Sequence, residues 1–372
     1  MSDFLQVAQT YGWYGVLAFV VTAFATPLAA GVARRLGVMD MPDTYLKPHA
    51  RPTPYLGGAA ICLGWAAAMI LALFTLEGIN VRSMLAVTLG GVAMSALGLI
   101  DDVREVSPKT RLAAGAVIIG AVMLATGAGL ELAETFLRPF ELQAPAAVAG
   151  PVSLALGLFI VLGACNSTNL IDGLDGLCAG VTAIISLGFF AIAMHLAVYE
   201  LAREENPTRL ILAIAMFGAT LGFLPLNFNP AKIFMGDAGS VLLGYNCGMM
   251  LLLFDERYHT FRWMFGGLMV FALPIFDTAL AIVRRWRSGR SIFQGDRSHF
   301  YDQLVDRGMS VRRVVLISYG LSVLFAALGC LTVIRELRFR YILILYAAVV
   351  ACVSAVIVLT GMARPERMKN EE

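Results

Sequence analysis

The run LCAGVTAIISLGFFAIAMHLAV, residues 177–198, contains no Asp, Glu, Lys or Arg. A helix needs about 20 mostly apolar residues to cross the ~30 Å hydrocarbon layer of a membrane, so this run predicts a transmembrane helix. The whole chain has the same character: 59% of its 372 residues are hydrophobic, 15% are charged, and the mean hydropathy is +0.76. Soluble domains carry about 25% charged residues. A soluble fold is therefore excluded, and a polytopic membrane protein is predicted.

Eleven apolar segments are long enough to be predicted as spans. No internal repeat or soluble domain interrupts them, so we predict one all-α domain covering residues 1–372, a bundle of about eleven transmembrane helices. The first run is too long for a signal peptide and has no preceding Lys or Arg, so we expect it to stay as a membrane helix. The segments lie near 13–33, 57–75, 84–100, 112–129, 151–166, 177–198, 209–226, 239–254, 263–283, 312–333 and 341–362.

The distribution of basic residues predicts the topology. With the N-terminus outside, 19 of the 28 Lys and Arg residues fall in cytoplasmic segments. Positive charge accumulates on the cytoplasmic side of membrane proteins, which favours an outside N-terminus and an inside C-terminus. We expect the cell (inner or plasma) membrane as the location. The net charge of only +2 gives no field for nucleic acid. The six cysteines form no CxxC pair, so neither disulfides nor a zinc site is expected.

Polar and glycine residues cluster in the loops predicted to be cytoplasmic, about 34–56, 101–111, 166–176, 227–239 and 284–311. The outer loops show no comparable clusters. Ionisable groups at membrane depth are costly unless they are paired, hydrated or bound to an ion. Their collection on one face therefore predicts a cytoplasmic functional site.

Asp101 and Asp102 end an apolar run, where two adjacent carboxylates require a cation or water. The simpler interpretation is a solvated helix end neutralised by Arg104 and Lys109. The functional interpretation is that one carboxylate helps hold a divalent metal while the other orients or deprotonates an acceptor phosphate.

The segment NSTNLIDGLDG, residues 166–176, alternates acids with glycines. Asp172 and Asp175 could both point into one pocket, because the glycines allow tight turns. Helix-capping Asx-turns are the structural alternative. Asn166 and Asn169 add amide groups that a plain turn does not need, so a polar ligand is favoured.

The segment FMGDAGS, residues 234–240, places Asp237 among small residues just before a predicted helix, whose N-terminal amides could face a phosphate. Phe234 could stack a base, although most aromatic side chains in membrane proteins face lipid or core. Asn227, upstream in the same polar loop, favours the ligand interpretation.

Basic residues accompany these acids. Lys47 and Arg51 precede the turn PTPYLGG, and Arg297 and His299 lie in an Arg-rich loop. Basic groups beside a divalent metal suit a diphosphate, whereas anchoring to anionic lipid is the alternative for any one of them. Asp277, within the ninth predicted span, is expected to pair with a basic group.

At these residues the chain resembles the polyprenyl-phosphate N-acetylhexosamine-1-phosphate transferases (glycosyltransferase family 4). The resemblance runs from the PTPYLGG turn to the Arg/His loop, with the motifs in matching order. It implies that Asp101, Asp102, Asp172, Asp175 and His299 are catalytic, and that the metal is held by Asp237 with Asn169. Implied substrate contacts are Lys47, Arg51, Asn169, Asn227, Phe234 and Arg297. The family's HIHH-type motif is only partly present, because Tyr301 and Asp302 replace two histidines.

The resemblance implies transfer of an N-acetylhexosamine-1-phosphate, N-acetylglucosamine-1-phosphate above all, from a UDP-sugar to undecaprenyl or another polyprenyl phosphate, with release of UMP. It implies Mg²⁺ as cofactor with Mn²⁺ as the alternative, the lipid bilayer as the setting, and leaves a homodimer open. Two rivals remain: a phospho-N-acetylmuramoyl-pentapeptide transferase, and a secondary transporter, since intramembrane aspartates also mark ion pathways. A transporter should place its acids near the midplane in repeated broken helices, which this sequence lacks.

Overall fold

The computed structural model of the protein describes residues 2–41, 52–104, 106–137, 141–199, 206–254, 261–289, 299–333 and 337–362. Within these ranges the chain is almost entirely helical, as predicted. A two-residue antiparallel hairpin pairs β1 (Met39–Asp40) with β2 (Thr53–Pro54). The helices are α1 (Ser2–Leu36), α2 (Gly57–Thr75), α3 (Val81–Arg104), α4 (Pro108–Thr126), α5 (Leu132–Leu137), α6 (Ala146–Leu170), α7 (Leu177–Tyr199), α8 (Asn206–Asn227), α9 (Gly236–Leu253), α10 (Phe261–Val270), α11 (Ala272–Arg287), α12 (Phe300–Asp306), α13 (Val311–Thr332) and α14 (Phe339–Thr360).

Each of the eleven predicted segments coincides with helix. In the described part of the chain, nine helices are long and apolar enough to cross a membrane by themselves. A tenth span arises if α10 and α11, which meet at a 71° bend, are taken together. The predicted eighth span corresponds to α9, which is not among the nine. The polytopic all-α class is thus confirmed, while the count of eleven and the orientation of the termini stay predictions.

The boundaries of α4 follow directly from its sequence. The Ser107 side chain accepts a hydrogen bond from the Thr110 backbone N–H, and Pro108 occupies the first turn, where its missing N–H costs nothing. At the other end Gly127 adopts a left-handed conformation with φ of 80°, which glycine reaches without a steric penalty. These caps fix where the first turn of α4, and therefore Arg111, lies.

Helix α9 is the central helix, and all of its residues except Asp237 are buried. Small residues let its neighbours approach very closely, as is common between membrane helices. A Cβ added to Gly58 of α2 would lie 2.1 Å from the Gly239 backbone nitrogen, and one added to Gly98 of α3 would lie 2.4 Å from the Asp237 carbonyl oxygen. The start of α9 is therefore held between the backbones of α2 and α3.

Several loops meet at this end of the bundle. The Phe234 backbone N–H donates to the Pro54 carbonyl at 2.9 Å, and the Gly57 N–H donates to the Phe234 carbonyl at 2.9 Å. The segment before α9 is thus joined to the hairpin strand β2 and to the start of α2. Because α3 and α6 also end here, four of the polar loops recognised in the sequence converge in space.

Candidate active site

The site is built around a cation shared by two carboxylates. The Arg111 Nη1 lies 2.6 Å from Oδ2 of Asp101 and 2.7 Å from Oδ2 of Asp237. The other carboxylate oxygen of Asp237, Oδ1, accepts a 2.7 Å hydrogen bond from the Asn169 amide, which also donates to the Ser240 hydroxyl. Residues from α3, α4, α6 and α9 therefore form one hydrogen-bonded network, and three of these helices contribute residues from the polar motifs.

Asp102 has a different environment from its neighbour Asp101. Its two oxygens accept hydrogen bonds from the backbone N–H groups of Asp237 at 2.8 Å and Ala238 at 3.1 Å. These are first-turn amides of α9, which have no intrahelical acceptor. Gly236, with φ of 66°, makes this approach possible, because a Cβ there would lie 2.6 Å from Asp102 Oδ2. Asp102 thus caps the helix that carries Asp237.

A polar cavity of about 580 Å³ opens beside this network. Asp40, Asp101, Asp102 and Asp237 line it, together with the phenol of Tyr55. Burial raises the pKa of Tyr55, and the nearby carboxylates of Asp102 and Asp237 raise it further, so the phenol stays protonated and can donate a hydrogen bond. The volume lies in the range of small-molecule sites in proteins.

The two acids of the 166–176 segment have separate environments. Asp175 Oδ2 accepts hydrogen bonds from the Asn229 amide and the Ala231 backbone N–H, both at 2.9 Å. The Asp172 carboxylate makes no hydrogen bond or ion pair with a described residue. Burial raises its pKa well above the usual range, and the charges of Asp237, Asp102 and Asp175 add to the effect. Asp172 is therefore the carboxylate of this segment that is available to a ligand.

Asn227 joins two loops of the site through its side chain. Its amide oxygen accepts from the Gly176 backbone N–H at 3.1 Å, and its amide nitrogen donates to the Ile233 carbonyl at 3.0 Å. The side chain is buried. It therefore holds the loop that carries Asp175 against the loop that precedes α9, and both ends of the amide are occupied by backbone.

His299 and Asp277 form a buried pair at the start of α12. The His299 Nδ1 lies 2.7 Å from Asp277 Oδ2, and the other Asp277 oxygen accepts the Phe300 backbone N–H at 3.0 Å. The expectation that Asp277 pairs with a basic group near the end of its helix is confirmed, and the partner is a histidine. Lys47, Arg51 and Arg297 lie outside the described residues. Phe234 is half-buried beside β2, and its role in base stacking stays a prediction.

Three residues of the site were not singled out in the sequence. Arg111 entered only as one of the topological charges, while Arg104 and Lys109, the expected partners of the acidic pair, are exposed. Asp40 and Tyr55 lie in or next to predicted polar loops. Tyr55 is part of the conspicuous PTPYLGG turn, but nothing in the local sequence linked Tyr55 or Asp40 to Asp102 or Asp237.

The oxygen atoms at the site are of the type that binds a magnesium ion. Among the described residues no group of three His, Cys, Asp or Glu side chains is arranged as a metal site. Mg²⁺, however, takes few protein carboxylates and keeps waters and substrate phosphates as its other ligands. The Asp172 carboxylate and the amide oxygen of Asn169 accept no hydrogen bond from a described residue, and four carboxylates share the cavity wall. This is a surplus of hard oxygen donors and of negative charge.

An apolar cleft approaches the network from the side of α4 and α6. Met94, Leu97, Leu162 and Val241 line it, together with the polar side chains of Arg111 and Asn169. Its volume of about 30 Å³ holds little more than a water molecule. Arg111 therefore stands between a polar cavity and an apolar surface.

Fold and site together define an integral membrane protein with an acidic ligand cavity where its helices end. Residues 84–255 match the model of the glycosyl transferase family 4. A Bacillus subtilis relative named "Probable undecaprenyl-phosphate N-acetylglucosaminyl 1-phosphate transferase" is 31% identical and covers 92% of both chains. A Mycobacterium tuberculosis relative named "Decaprenyl-phosphate N-acetylglucosaminephosphotransferase" is 33% identical over 82% of this chain and 78% of its own.

A third relative, the "Phospho-N-acetylmuramoyl-pentapeptide-transferase" of Desulforudis audaxviator, is 31% identical over 84% of this chain and 95% of its own. The chain belongs to the glycosyl transferase family 4, the polyprenyl-phosphate N-acetylhexosamine-1-phosphate transferases. The family resemblance recognised in the motifs is thus confirmed. The matched segment contains the Arg111 network and the loops that carry Asp172 and Asp237.

Proposed function

We propose that the protein transfers N-acetylglucosamine-1-phosphate from UDP-N-acetylglucosamine to a polyprenyl phosphate and so starts a lipid-linked cell-envelope glycan. The Arg111 network carries the proposal, because it places a cation and two carboxylates between a nucleotide-sized polar cavity and an apolar surface. Such a boundary suits a reaction in which a lipid-borne phosphate meets a water-soluble donor. The names of the relatives from Bacillus subtilis and Mycobacterium tuberculosis support this acceptor and this sugar.

In the transfer, an oxygen of the acceptor phosphate forms a bond to the β-phosphorus of the donor. The bond from that phosphorus to the bridging oxygen breaks, and UMP leaves with the electron pair. A phosphate monoester has a second pKa of about 6, so the acceptor is largely ionised at neutral pH. Positioning and charge stabilisation are then the main tasks of the protein.

Arg111 would bring the acceptor phosphate to the inner end of the cleft. The cleft is too small for an isoprenyl chain, so the chain would lie along the lipid-facing surface of α4 and α6 while the phosphate reaches inward. Asp101 and Asp237 would hold the guanidinium in place through their short contacts. A planar guanidinium with several donors suits a phosphate better than a single ammonium group does.

Mg²⁺ is the proposed cofactor, with Asp237 and Asn169 as the residues that would hold it and Asp172 facing it. A divalent cation would supply charge neutralisation for the donor diphosphate. Asp102 would act on Asp237 through the backbone, because its hydrogen bonds fix the first turn of α9. On the proposed topology this cavity faces the cytoplasm, where the nucleotide sugar is found.

The test is UMP release by the purified protein with UDP-N-acetylglucosamine, polyprenyl phosphate and Mg²⁺. Asp237→Ala should abolish release, whereas Asp306→Asn, at an exposed position of α12, should retain it. Thermal unfolding with and without Mg²⁺ gives a second readout, and the wild type should be stabilised by the ion more than Asp237→Ala. Unchanged turnover of Asp237→Ala would contradict the role assigned to this carboxylate.

An assay with a panel of sugar nucleotides identifies which sugar the protein transfers. N-acetylglucosamine, N-acetylgalactosamine, deoxy-sugar and muramoyl-pentapeptide nucleotides should be compared at equal concentration, and the first should give the highest kcat/KM. A preference for the pentapeptide nucleotide would favour the activity named for the Desulforudis audaxviator relative. A secondary transporter would exchange labelled substrate across liposomes without UMP production, and family membership speaks against it.

A further inference from the structure

Tyr301, the second residue of α12, touches the acidic loop that follows α6. Its side chain is 2% exposed. The phenol donates a 2.6 Å hydrogen bond to the carbonyl of Leu170, the last residue of α6. The residue before Leu170 is Asn169, which binds Asp237, and Asp172 follows two residues later. The bond is therefore made at the end of α6, between these two functional residues.

The loop packs directly on the phenol. A Cβ added to Gly173 would lie 2.3 Å from the Tyr301 hydroxyl oxygen, so a glycine here is what allows contact. At the other end of the loop the Tyr319 hydroxyl donates to the Gly176 carbonyl at 2.6 Å. Two tyrosines from the α12–α13 region thus hold the segment 171–176 at its two ends.

Tyr301 also contacts the buried His299. The rings of Tyr301 and His299 are stacked at 5.3 Å between centroids with an interplanar angle of 7°, and His299 is held by Asp277. Tyr301 therefore links the His299–Asp277 pair to the loop that carries Asp172. Burial raises the pKa of Tyr301, and Asp302 and Asp277 raise it further, so the hydroxyl keeps its proton and remains a donor.

We propose that Tyr301 is a positioning residue that sets where Asn169 and Asp172 lie beside Asp237, and that it does so through the Leu170 carbonyl without touching substrate. Tyr301 is not among the described residues that line the cavity. The inference rests on the proposed function for its kinetic consequence, but the structural link can be measured without turnover.

The kinetic experiment compares Tyr301→Phe with Tyr245→Phe, a matched control. Tyr245 is also a fully buried tyrosine that donates to a helix carbonyl, that of Val87, at 3.0 Å. Small misplacements of reacting groups cost up to about 100-fold in rate, so Tyr301→Phe should lower kcat about tenfold while KM changes by less than about twofold. Tyr245→Phe should lower the thermal stability by a similar amount and leave kcat unchanged.

Hydrogen exchange provides the readout that does not depend on activity. The Asp172 N–H bonds to the Asn169 carbonyl, and the Gly176 N–H bonds to the Asn227 side chain. Both amides should exchange faster in Tyr301→Phe than in the wild type or in Tyr245→Phe. Gly173→Ala, which presses on the same hydroxyl from the loop side, should reproduce the effect and serves if Tyr301→Phe cannot be purified.

The outcomes are separable. Unchanged kcat and unchanged exchange in a folded Tyr301→Phe protein would overturn the proposal, as would equal losses in Tyr245→Phe. A raised KM with unchanged kcat would make Tyr301 a substrate contact and would also overturn it. If the wild type releases no UMP from any donor, the proposed function fails, and faster exchange of residues 171–176 in Tyr301→Phe alone still supports the positioning link.

Discussion

Arg111 joins two carboxylates that would repel each other without it. Its guanidinium contacts both Asp101 and Asp237, and its side chain is 28% exposed, so the charges are only partly screened by solvent. Arg111→Gln should therefore lower kcat/KM about 100-fold, the scale seen when one charge-stabilising group is removed from an active site. Arg111→Lys should retain part of the activity, because it keeps the charge but loses the fork of donors.

Lys109→Gln is the control for Arg111→Gln, because Lys109 is an exposed residue in the same turn of α4. Its removal changes the net charge by the same amount and should alter kcat/KM by less than about twofold, as expected of a surface charge. Equal losses in the two variants would mean that only the overall field near the membrane matters, and the specific role of Arg111 would then be wrong.

Asp172 gives a prediction about stability and pH. Its pKa is raised in the folded protein, so the folded state binds more protons than the unfolded state once the pH exceeds the ordinary value near 3.9. Stability linked to this group therefore falls as the pH rises through the window between the ordinary and the raised pKa. Asp172→Asn should unfold at a higher temperature than the wild type at neutral pH without divalent ions.

The same measurement near pH 4 provides the comparison for Asp172→Asn. There the carboxyl is protonated in the folded protein, so the advantage of the variant should largely disappear. Thermal unfolding in detergent, followed by intrinsic fluorescence, reports both conditions. A variant less stable than the wild type at neutral pH would show that Asp172 is stabilised by a partner and does not bear an unpaired charge.

The sequence identified the acids but not the cation that joins them. Asp101, Asp102, Asn169 and Asp237 were found because acids and amides beside apolar runs are conspicuous. Arg111 lies ten residues after Asp101 and 126 residues before Asp237, and only the packing of α4 against α3 and α6 brings it to both. The different tasks of Asp101 and Asp102 likewise depend on where α9 begins, which local sequence does not reveal.

Helix α9 shows how close packing places a functional side chain. A Cβ on Gly98 would meet the Asp237 carbonyl oxygen at 2.4 Å and the Ala238 nitrogen at 2.7 Å, and these are backbone atoms that cannot rotate away. Gly98→Ala should therefore push α3 from α9 and lower kcat at least tenfold, although no catalytic side chain is changed. Gly163→Ala in α6 has no atom within 4 Å of the new Cβ and should leave kcat unchanged.

Elements were predicted best where hydropathy alone decides. Runs such as 177–198 became helices almost as predicted. The predicted eighth span, 239–254, begins three residues after the true start of α9, because Gly236 and Asp237 have the composition of a loop. The sequence did not predict the bend between α10 and α11, because it lies within a continuous apolar run. It also did not predict the short helix α12, which lies within a polar connection.

The whole molecule has a polar end and an apolar body, and the loop at 76–80 should lie at the end opposite to the site. It joins α2 to α3, and Asp101 stands at the far end of α3, a helix of 24 residues. At 1.5 Å per residue this helix is long enough to cross the bilayer. Positive-inside bias places the Asp101 end in the cytoplasm, so Glu77 is expected on the outer side and Lys109 on the inner side.

Single cysteines test this orientation. All six native cysteines are free and would first be replaced, after which Glu77→Cys and Lys109→Cys would be treated with a membrane-impermeant maleimide on intact cells. Glu77→Cys should be labelled, and Lys109→Cys should be labelled only after the membrane is opened. The reverse pattern would place the acidic cavity on the side away from the cytosolic nucleotide pool. A transferase that draws its donor from that pool could not work in this orientation, so the experiment tests the topology and the proposed donor together.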